Sequence, residues 1–385
     1  MKKIWGAFKM KWDWVIVGAG LAGCTLAERI SNELDQSVLI VEKRDHIGGN
    51  LFDHYDEHGL LIHKYGPHIF HTNSRKVWDY LSQFTTWLPY FHKVLGCIEG
   101  TRVPIPFNFN SIQALFPHEY ARKLENSLLK EYSLGDKIPI FQLLDSDVKE
   151  IQTLAQYIYN KVYEGYTKKQ WNLNPEQLDK SVTGRVPFFV SRNNCYFQDT
   201  YQGVPLNGYT NMIKKMVENP KVKILLKADY KEVIKSIKYT RMVYTGTIDY
   251  FFDYKFGHLP YRSLNFEYKH YSSESYQEAA QVNFPNEYNF TRITEYKKIT
   301  GQHSKGTTIS LEYPIEYLKE INEPYYPIPK TENKDLYRKY NLEAEKLKEK
   351  VIFLGRLAEY KYFNMDQIVG RALSVFERDI FNKKQ

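Results

Sequence analysis

Residues 14 to 50 constrain this chain most. Trp14-Val-Ile-Val-Gly18-Ala-Gly20-Leu-Ala-Gly23 joins a short apolar strand to a glycine turn, and Ser37-Val-Leu-Ile-Val-Glu42 supplies a second apolar strand after a helical run from Cys24 to Leu34. That order is a βαβ unit whose glycines have the spacing a dinucleotide pyrophosphate requires. Gly18 permits the tight turn and Gly20 lets the backbone approach the phosphates. Gly23 lets the helix pack close to the strand, so its N-terminal N–H groups face the anion. Glu42 follows about twenty residues on, where a carboxylate accepts hydrogen bonds from an adenosine ribose and repels a 2′-phosphate. Ala22, inside the turn, and Lys43, next to the acid, complete the first group of expected contacts.

The continuation separates FAD from NAD. Gly48-Gly49-Asn50, directly after the second strand, resembles the second glycine pair of two-domain flavoproteins. Val351-Ile-Phe-Leu-Gly355-Arg356, followed by a helical run through Gly370, is similar to their closing flavin-contact segment. FAD is therefore the expected cofactor. The His-rich stretch His54, His58, His63, Tyr65-Gly-Pro67-His68-Ile-Phe-His71 has irregular spacing broken by Gly and Pro, so it reads as a backbone turn against the flavin and not as a metal site. The three cysteines, Cys24, Cys97 and Cys195, lie far apart with no paired spacing, which argues against a disulfide framework as well.

At 385 residues there is room for two or three domains. The 32 tyrosines exceed what core filling needs. A flat apolar ring with a hydroxyl suits a cleft that stacks sugars or bases while hydrogen-bonding them. The net charge of +8 is spread along the chain without a like-charge block, which speaks against a nucleic-acid partner. No apolar run reaches the length of a membrane span, and the first ten residues have no signal-peptide core, so a cytoplasmic location is expected, with Met10 a possible alternative start.

Thr101-Arg-Val-Pro104-Ile-Pro106 reads as an edge strand or a linker, because proline cannot donate to a ladder. Helical periods then run through Tyr120 to Tyr132, with Leu124, Leu128 and Leu129 inward, and through Asp147 to Trp171. Gly184-Arg185, with Pro187 beyond, is a flexible segment carrying one strong cation, which serves equally as a solvated loop or as a phosphate ligand. Residues 221 to 227 and 241 to 246 are strand-like and return to the nucleotide sheet, and alternating aromatic segments from Tyr250 to Tyr325 suggest an antiparallel sheet. A charged helix from Tyr337 to Lys350 leads to the last strand.

The chain resembles the bacterial UDP-galactopyranose mutase family nearly end to end. The resemblance rests on eight collinear blocks: Gly18 to Gly23, Glu42 to Asn50, Tyr65 to Thr72, Gly165 to Trp171, Tyr201 to Pro205, Tyr261 to Leu264, Glu312 to Pro314 and Gly355 to Tyr362. It implies an isomerase that interconverts UDP-galactopyranose and UDP-galactofuranose through a covalent sugar adduct at N5 of reduced FAD, with an unidentified reductant and a homodimer. It implies Arg185 and Arg292 as the paired catalytic cations. Substrate contacts would come from His92, Tyr163, Tyr166, Thr167, Trp171, Tyr196, Arg262, Asn283, Tyr313, Tyr362 and Asn364. Cofactor contacts would add Gly49, Asn50, His68, Ile69, Arg356, Met365, Asp366, Gln367, Ile368, Val369 and Gly370 to those of the glycine turn.

The expected fold class is α/β: a FAD-binding Rossmann-like domain (11–90, 208–249, 333–385), an inserted helical-bundle domain with a mobile substrate loop (108–196), and an antiparallel β-sheet domain (91–107, 197–207, 250–332). Two positions depart from the family pattern. Asn364 stands where an Asp is common, and Val162 stands where an aromatic is frequent. A related activity on UDP-N-acetylgalactopyranose is the nearest alternative, a flavin amine-oxidase-like oxidoreductase is another, and a non-catalytic, basic, aromatic-rich carbohydrate or nucleic-acid binder a third.

Overall fold

The computed structural model describes residues 11–179 and 186–382. Arg185, Gly184 and Met10 lie outside the described residues. Five parallel strands form the sheet on which the cofactor segment is built, in the spatial order Val222–Leu225, Val38–Val41, Lys11–Val17, Lys238–Tyr244, Val351–Phe353. From Trp14 to Val17 the first strand is wholly apolar because both its faces are covered there. Trp14 and Ile16 enter the core built with helix Leu21–Glu33, helix Tyr209–Met216 and helix Met365–Val375; Trp12, Val15 and Val17 enter the opposite core with Tyr230, Val233 and Tyr244. Residues 221–227 and 241–246 thus return to this sheet, as expected.

A seven-stranded sheet stands over the carboxyl ends, in the order Tyr326–Pro327, Tyr261–Tyr271, Thr307–Glu316, Arg292–Glu295, Gln281–Asn283, Val94–Ile98, Thr101–Ile105. Thr101–Ile105 is an edge strand, where Pro104 is tolerated. The expected antiparallel sheet is mixed, because Gln281–Asn283 runs parallel to Val94–Ile98. The stretch starting at Tyr250 opens on a helical turn, Ile248–Phe251. Residues 197–207, grouped by sequence with this sheet, instead carry strand Tyr201–Pro205 of a separate three-stranded sheet with Phe70–Thr72 and Trp87–Pro89.

Helices Phe109–Leu115, His118–Glu131 and Lys149–Ile158 enclose their own core of Leu124, Leu128, Ile151, Leu154 and Ile158. Leu129 was expected inward and is 45% exposed. The turn of helix that buries Leu124 and Leu128 carries Leu129 a further 100° round, beyond the packed stripe. The helical period from Asp147 to Trp171 is interrupted by a π-helical turn at Tyr159–Glu164 before helix Gly165–Trp171. Its wider register re-aims the side chains that follow, a feature frequent at functional sites.

Candidate active site

The glycine turn is built for close approach. Gly18 has φ +101, and a Cβ there would lie 2.1 Å from Thr245 Oγ1. A Cβ on Gly23 would lie 2.2 Å from the Gly18 carbonyl oxygen. Gly49 meets Gly20 across a backbone bridge centred on Gly20 and Gly48, so the two glycine turns form one cradle. Glu42 is buried beside it, accepting from Ala19 N–H at 2.7 Å and from Arg44 N–H at 2.9 Å. Ala22 and Gly355 approach each other here, which brings Arg356 to the same place. Lys43 turns outward to Glu323 at 3.1 Å.

Arg44, which the sequence reading left out, donates two bonds of 3.1 Å to Asn50 Oδ1, pairs with Glu323 and stacks over Tyr65 at 4.4 Å. His68 N–H donates to His63 Nδ1 at 3.0 Å. Burial first, then the neighbouring His63 and Arg356, hold the His68 ring neutral with its pKa down to about 3. Ile69 packs with Tyr90, Phe197 and Ile299.

Helix Met365–Val375 points its first turn at the region between the two sheets. Asp366 accepts from Thr72 Oγ1 at 3.1 Å, and Gln367 Oε1 accepts from Asn364 N–H at 3.0 Å. Val369 is wholly buried in the core beneath, with Met365 and Ile368 packed partly against that core, so these can reach a cofactor only by backbone or by their exposed edges. Gly370 packs toward Val77. Three buried polar atoms around this region have no partner among the described residues: His68 Nδ1, Asp366 Oδ1 and Glu312 Oε1. Buried polar groups are rarely left so. A glycine cradle with a buried acid beside it, together with unpartnered buried donors and acceptors, fits a dinucleotide such as FAD.

The seven-stranded sheet supplies the opposing wall. Arg292 and Glu312 are cross-strand partners. Arg292 Nε and Nη2 both donate to Glu312 Oε2, at 2.7 and 2.6 Å. Burial works against the Arg292 charge, but Glu312, Tyr166 and Tyr326 outweigh it and push its pKa up, so the cation is permanent. Arg356 lies over the rings of Tyr362 at 4.7 Å and Tyr326 at 5.3 Å, and those two rings stack on each other. Tyr166 neighbours Arg292, Tyr196 and Tyr326, while Tyr163 neighbours Tyr196 and donates to the Val186 carbonyl. Burial raises the Tyr166 phenol and pushes Tyr326 up to about 12, so both are donors at neutral pH. Two guanidiniums and several phenol donors at one place are what a diphosphate needs.

Trp171 borders Tyr326, Thr167 is buried in the same helix, and Asn283 lies opposite Arg292 on the neighbouring strand. His92 is buried next to Arg292, and its carbonyl accepts from Tyr196 N–H at 2.7 Å. Gly165 is required where helix Gly165–Trp171 meets Pro285 and Asn286, since a Cβ would sit 2.7 Å from the Pro285 carbonyl oxygen.

Three expected substrate residues are placed otherwise. Tyr313 follows Glu312 in an extended strand, so it points to the opposite face; its hydroxyl donates to Glu267 and its ring borders Phe290. The tyrosine that reaches the cations is Tyr326, missed by the sequence reading although it sits between Pro324 and Pro327. Arg262 spends Nε and Nη2 on the carbonyls of Gln170 and Lys169, so it caps the helix that carries Tyr166. Asn364 is the N-cap of helix Met365–Val375, in a capping box with Gln367. We expect Tyr326→Phe to weaken UDP binding about tenfold, roughly 1.4 kcal/mol, and Tyr313→Phe to change it less than twofold, as read by titration calorimetry. The reverse order would return the role to Tyr313.

The sequence profile of the UDP-galactopyranose mutase family matches residues 161–362, and that of an NAD(P)-binding Rossmann-like domain matches residues 16–84. The chain is 38% identical to a UDP-galactopyranose mutase of Mycoplasma genitalium, covering 93% of this chain and 92% of that one. It is 35% identical to the UDP-galactopyranose mutase of Mycoplasma pneumoniae over 96% of each chain. A dTDP-fucopyranose mutase of Escherichia coli is 32% identical, covering 96% of this chain and 99% of that one. Among solved structures, a reduced UDP-galactopyranose mutase superposes with a TM-score of 0.75 at 15% identity, covering 98% of this chain and 95% of that one.

Proposed function

The chain belongs to the UDP-galactopyranose mutase family, and on that premise we propose that it interconverts UDP-galactopyranose and UDP-galactofuranose with reduced FAD bound in the glycine cradle. The observation that carries the reading is the buried Arg292–Glu312 pair, set among Arg356 and phenol donors on the wall facing the cradle. When bound and reduced, the flavin supplies an electron-rich N5 as nucleophile toward the anomeric carbon.

The chain's own residues hold what leaves. Arg292 meets the negative charge that develops on the diphosphate as the glycosidic bond lengthens, and Glu312 fixes the guanidinium plane so that little reorganisation is needed. Arg185, which lies outside the described residues, is the proposed second cation. Tyr166, Tyr196, Tyr326 and Tyr362 donate to diphosphate oxygens, while Tyr163, Thr167 and Trp171 line the uridine side. His92 and Asn283 face the sugar nucleotide beside Arg292. Holding UDP in place after departure lets it return to the ring-isomerised sugar, so no net oxidation occurs.

UDP-galactose is the proposed substrate, with UDP-N-acetylgalactosamine the nearest alternative. Among the described residues no helix is long and apolar enough to cross a membrane. A homodimer acting in the cytoplasm, supplied with electrons by a separate reductant, completes the proposal. Oxidised holoenzyme is expected to be inactive and to gain full activity on adding dithionite. Equal turnover before and after reduction would sink the nucleophilic role of the flavin.

A further inference from the structure

Four side chains, Tyr90, His92, Gln281 and Asn283, adjoin one another beside Arg292. Tyr90 Oη and His92 Nδ1 are 3.1 Å apart. Burial lowers the His92 pKa, and the neighbouring Gln281 side chain works against that. Gln281 Nε2 in turn donates to Asn283 Oδ1 at 2.9 Å. Gln281 and Asn283 are two residues apart in one strand and therefore share a face. Asn283 is the direct cross-strand partner of Arg292, and Arg292 is close enough to depress the basicity of His92. His92 is 3% and Gln281 5% exposed, so neither can exchange its partners for water.

The direction of the contact between Gln281 and Asn283 sets what is offered to a ligand. Gln281 Nε2 spends one N–H on Asn283 Oδ1, and its second N–H and its carbonyl are both open to the His92 ring. With Oδ1 held by Gln281, the Asn283 N–H donors are the groups offered to a ligand beside Arg292. A ligand oxygen is favoured there, and a ligand N–H is rejected because two donors would face each other without water to separate them.

We propose that Gln281 is a positioning residue that turns the Asn283 amide so its N–H groups, next to Arg292, donate to an oxygen acceptor of the bound nucleotide sugar, an inference that rests on the function proposed above. Burial, with Arg292 nearby, holds His92 neutral and its pKa down to about 3, so the arrangement persists through the neutral range.

One measurement tests it. Gln281→Glu keeps the shape but removes the donor, so Asn283 must rotate to donate to it. Calorimetry with UDP-galactose on oxidised holoenzyme should then show at least tenfold weaker binding with the flavin spectrum unchanged, and binding within twofold of wild type would overturn it. Wild-type holoenzyme that fails to bind UDP-galactose would instead sink the functional reading, which keeps the two failures distinct.

Discussion

Arg292→Ala is expected to lower kcat about a thousandfold, roughly 4 kcal/mol of transition-state stabilisation, while FAD remains bound. The reasoning is electrostatic. The guanidinium is buried, held by Glu312 and placed among phenol donors, so its field acts in a water-poor site where a charge that develops on a leaving diphosphate feels it strongly. The same substitution leaves Glu312 as a buried carboxylate with neither oxygen paired to a cation, at a stability cost of about 3–5 kcal/mol. These two losses can be separated. Arg292→Ala combined with Glu312→Gln should recover most of the thermal stability and none of the turnover. Recovery of turnover in the double variant would show that Arg292 acts only by neutralising Glu312.

Gly20→Ala and Gly23→Ala are expected to abolish flavin retention for different reasons. A Cβ on Gly23 collides with the Gly18 carbonyl at 2.2 Å and with Ile16 Cγ2 at 3.0 Å, so the helix must leave the strand whether or not a cofactor is present. Overpacking of that kind costs about 1–3 kcal/mol, and the apoprotein should melt lower. A Cβ on Gly20 meets nothing closer than Gly49 Cα at 3.9 Å, and Gly20 has φ −80, which any residue adopts. The space it fills is the space the pyrophosphate needs. Gly20→Ala apoprotein should therefore melt with wild type, yet bind FAD at least a hundredfold more weakly, roughly 3 kcal/mol, by fluorescence titration. An unchanged FAD affinity in Gly20→Ala would move the cofactor away from this turn.

The glycine turn and its two strands were legible because their requirements are local: a turn, a close approach and an acid at a fixed spacing. Both faces of the parallel sheet being covered made Val38–Val41 and the carboxyl ends of Lys11–Val17 and Lys238–Tyr244 apolar, and residues 241 to 246 could be traced back to it for that reason. Long-range pairing was not legible. Nothing in Tyr201–Pro205 says whether it pairs between Phe70–Thr72 and Trp87–Pro89 or joins the large sheet, since both would accept a short strand of this pattern.

Within the site, the Glu312-Tyr-Pro314 block located the right strand, but only one of two adjacent residues can share the face of Arg292. The alternation gives that face to Glu312. Tyr326 and Arg44 were invisible because one reaches the site from a two-residue strand and the other from a turn, and both directions depend on tertiary contacts. Arg262 and Asn364 have the right chemistry for a ligand, yet helix ends with unsatisfied backbone groups claimed them first. The π-helical turn before Gly165 leaves no mark on a 3.6-residue period, although it sets where Tyr163 and Tyr166 point.

The central claim is that a reduced flavin and a cation-held diphosphate cooperate in a rearrangement without net redox change. The most direct measurement is to incubate dithionite-reduced, FAD-loaded protein anaerobically with UDP-galactofuranose and separate the nucleotide sugars by chromatography. The account predicts conversion to UDP-galactopyranose over many turnovers per flavin, with the flavin still reduced at the end. Unchanged UDP-galactofuranose, or product formed only in step with flavin reoxidation, would contradict it.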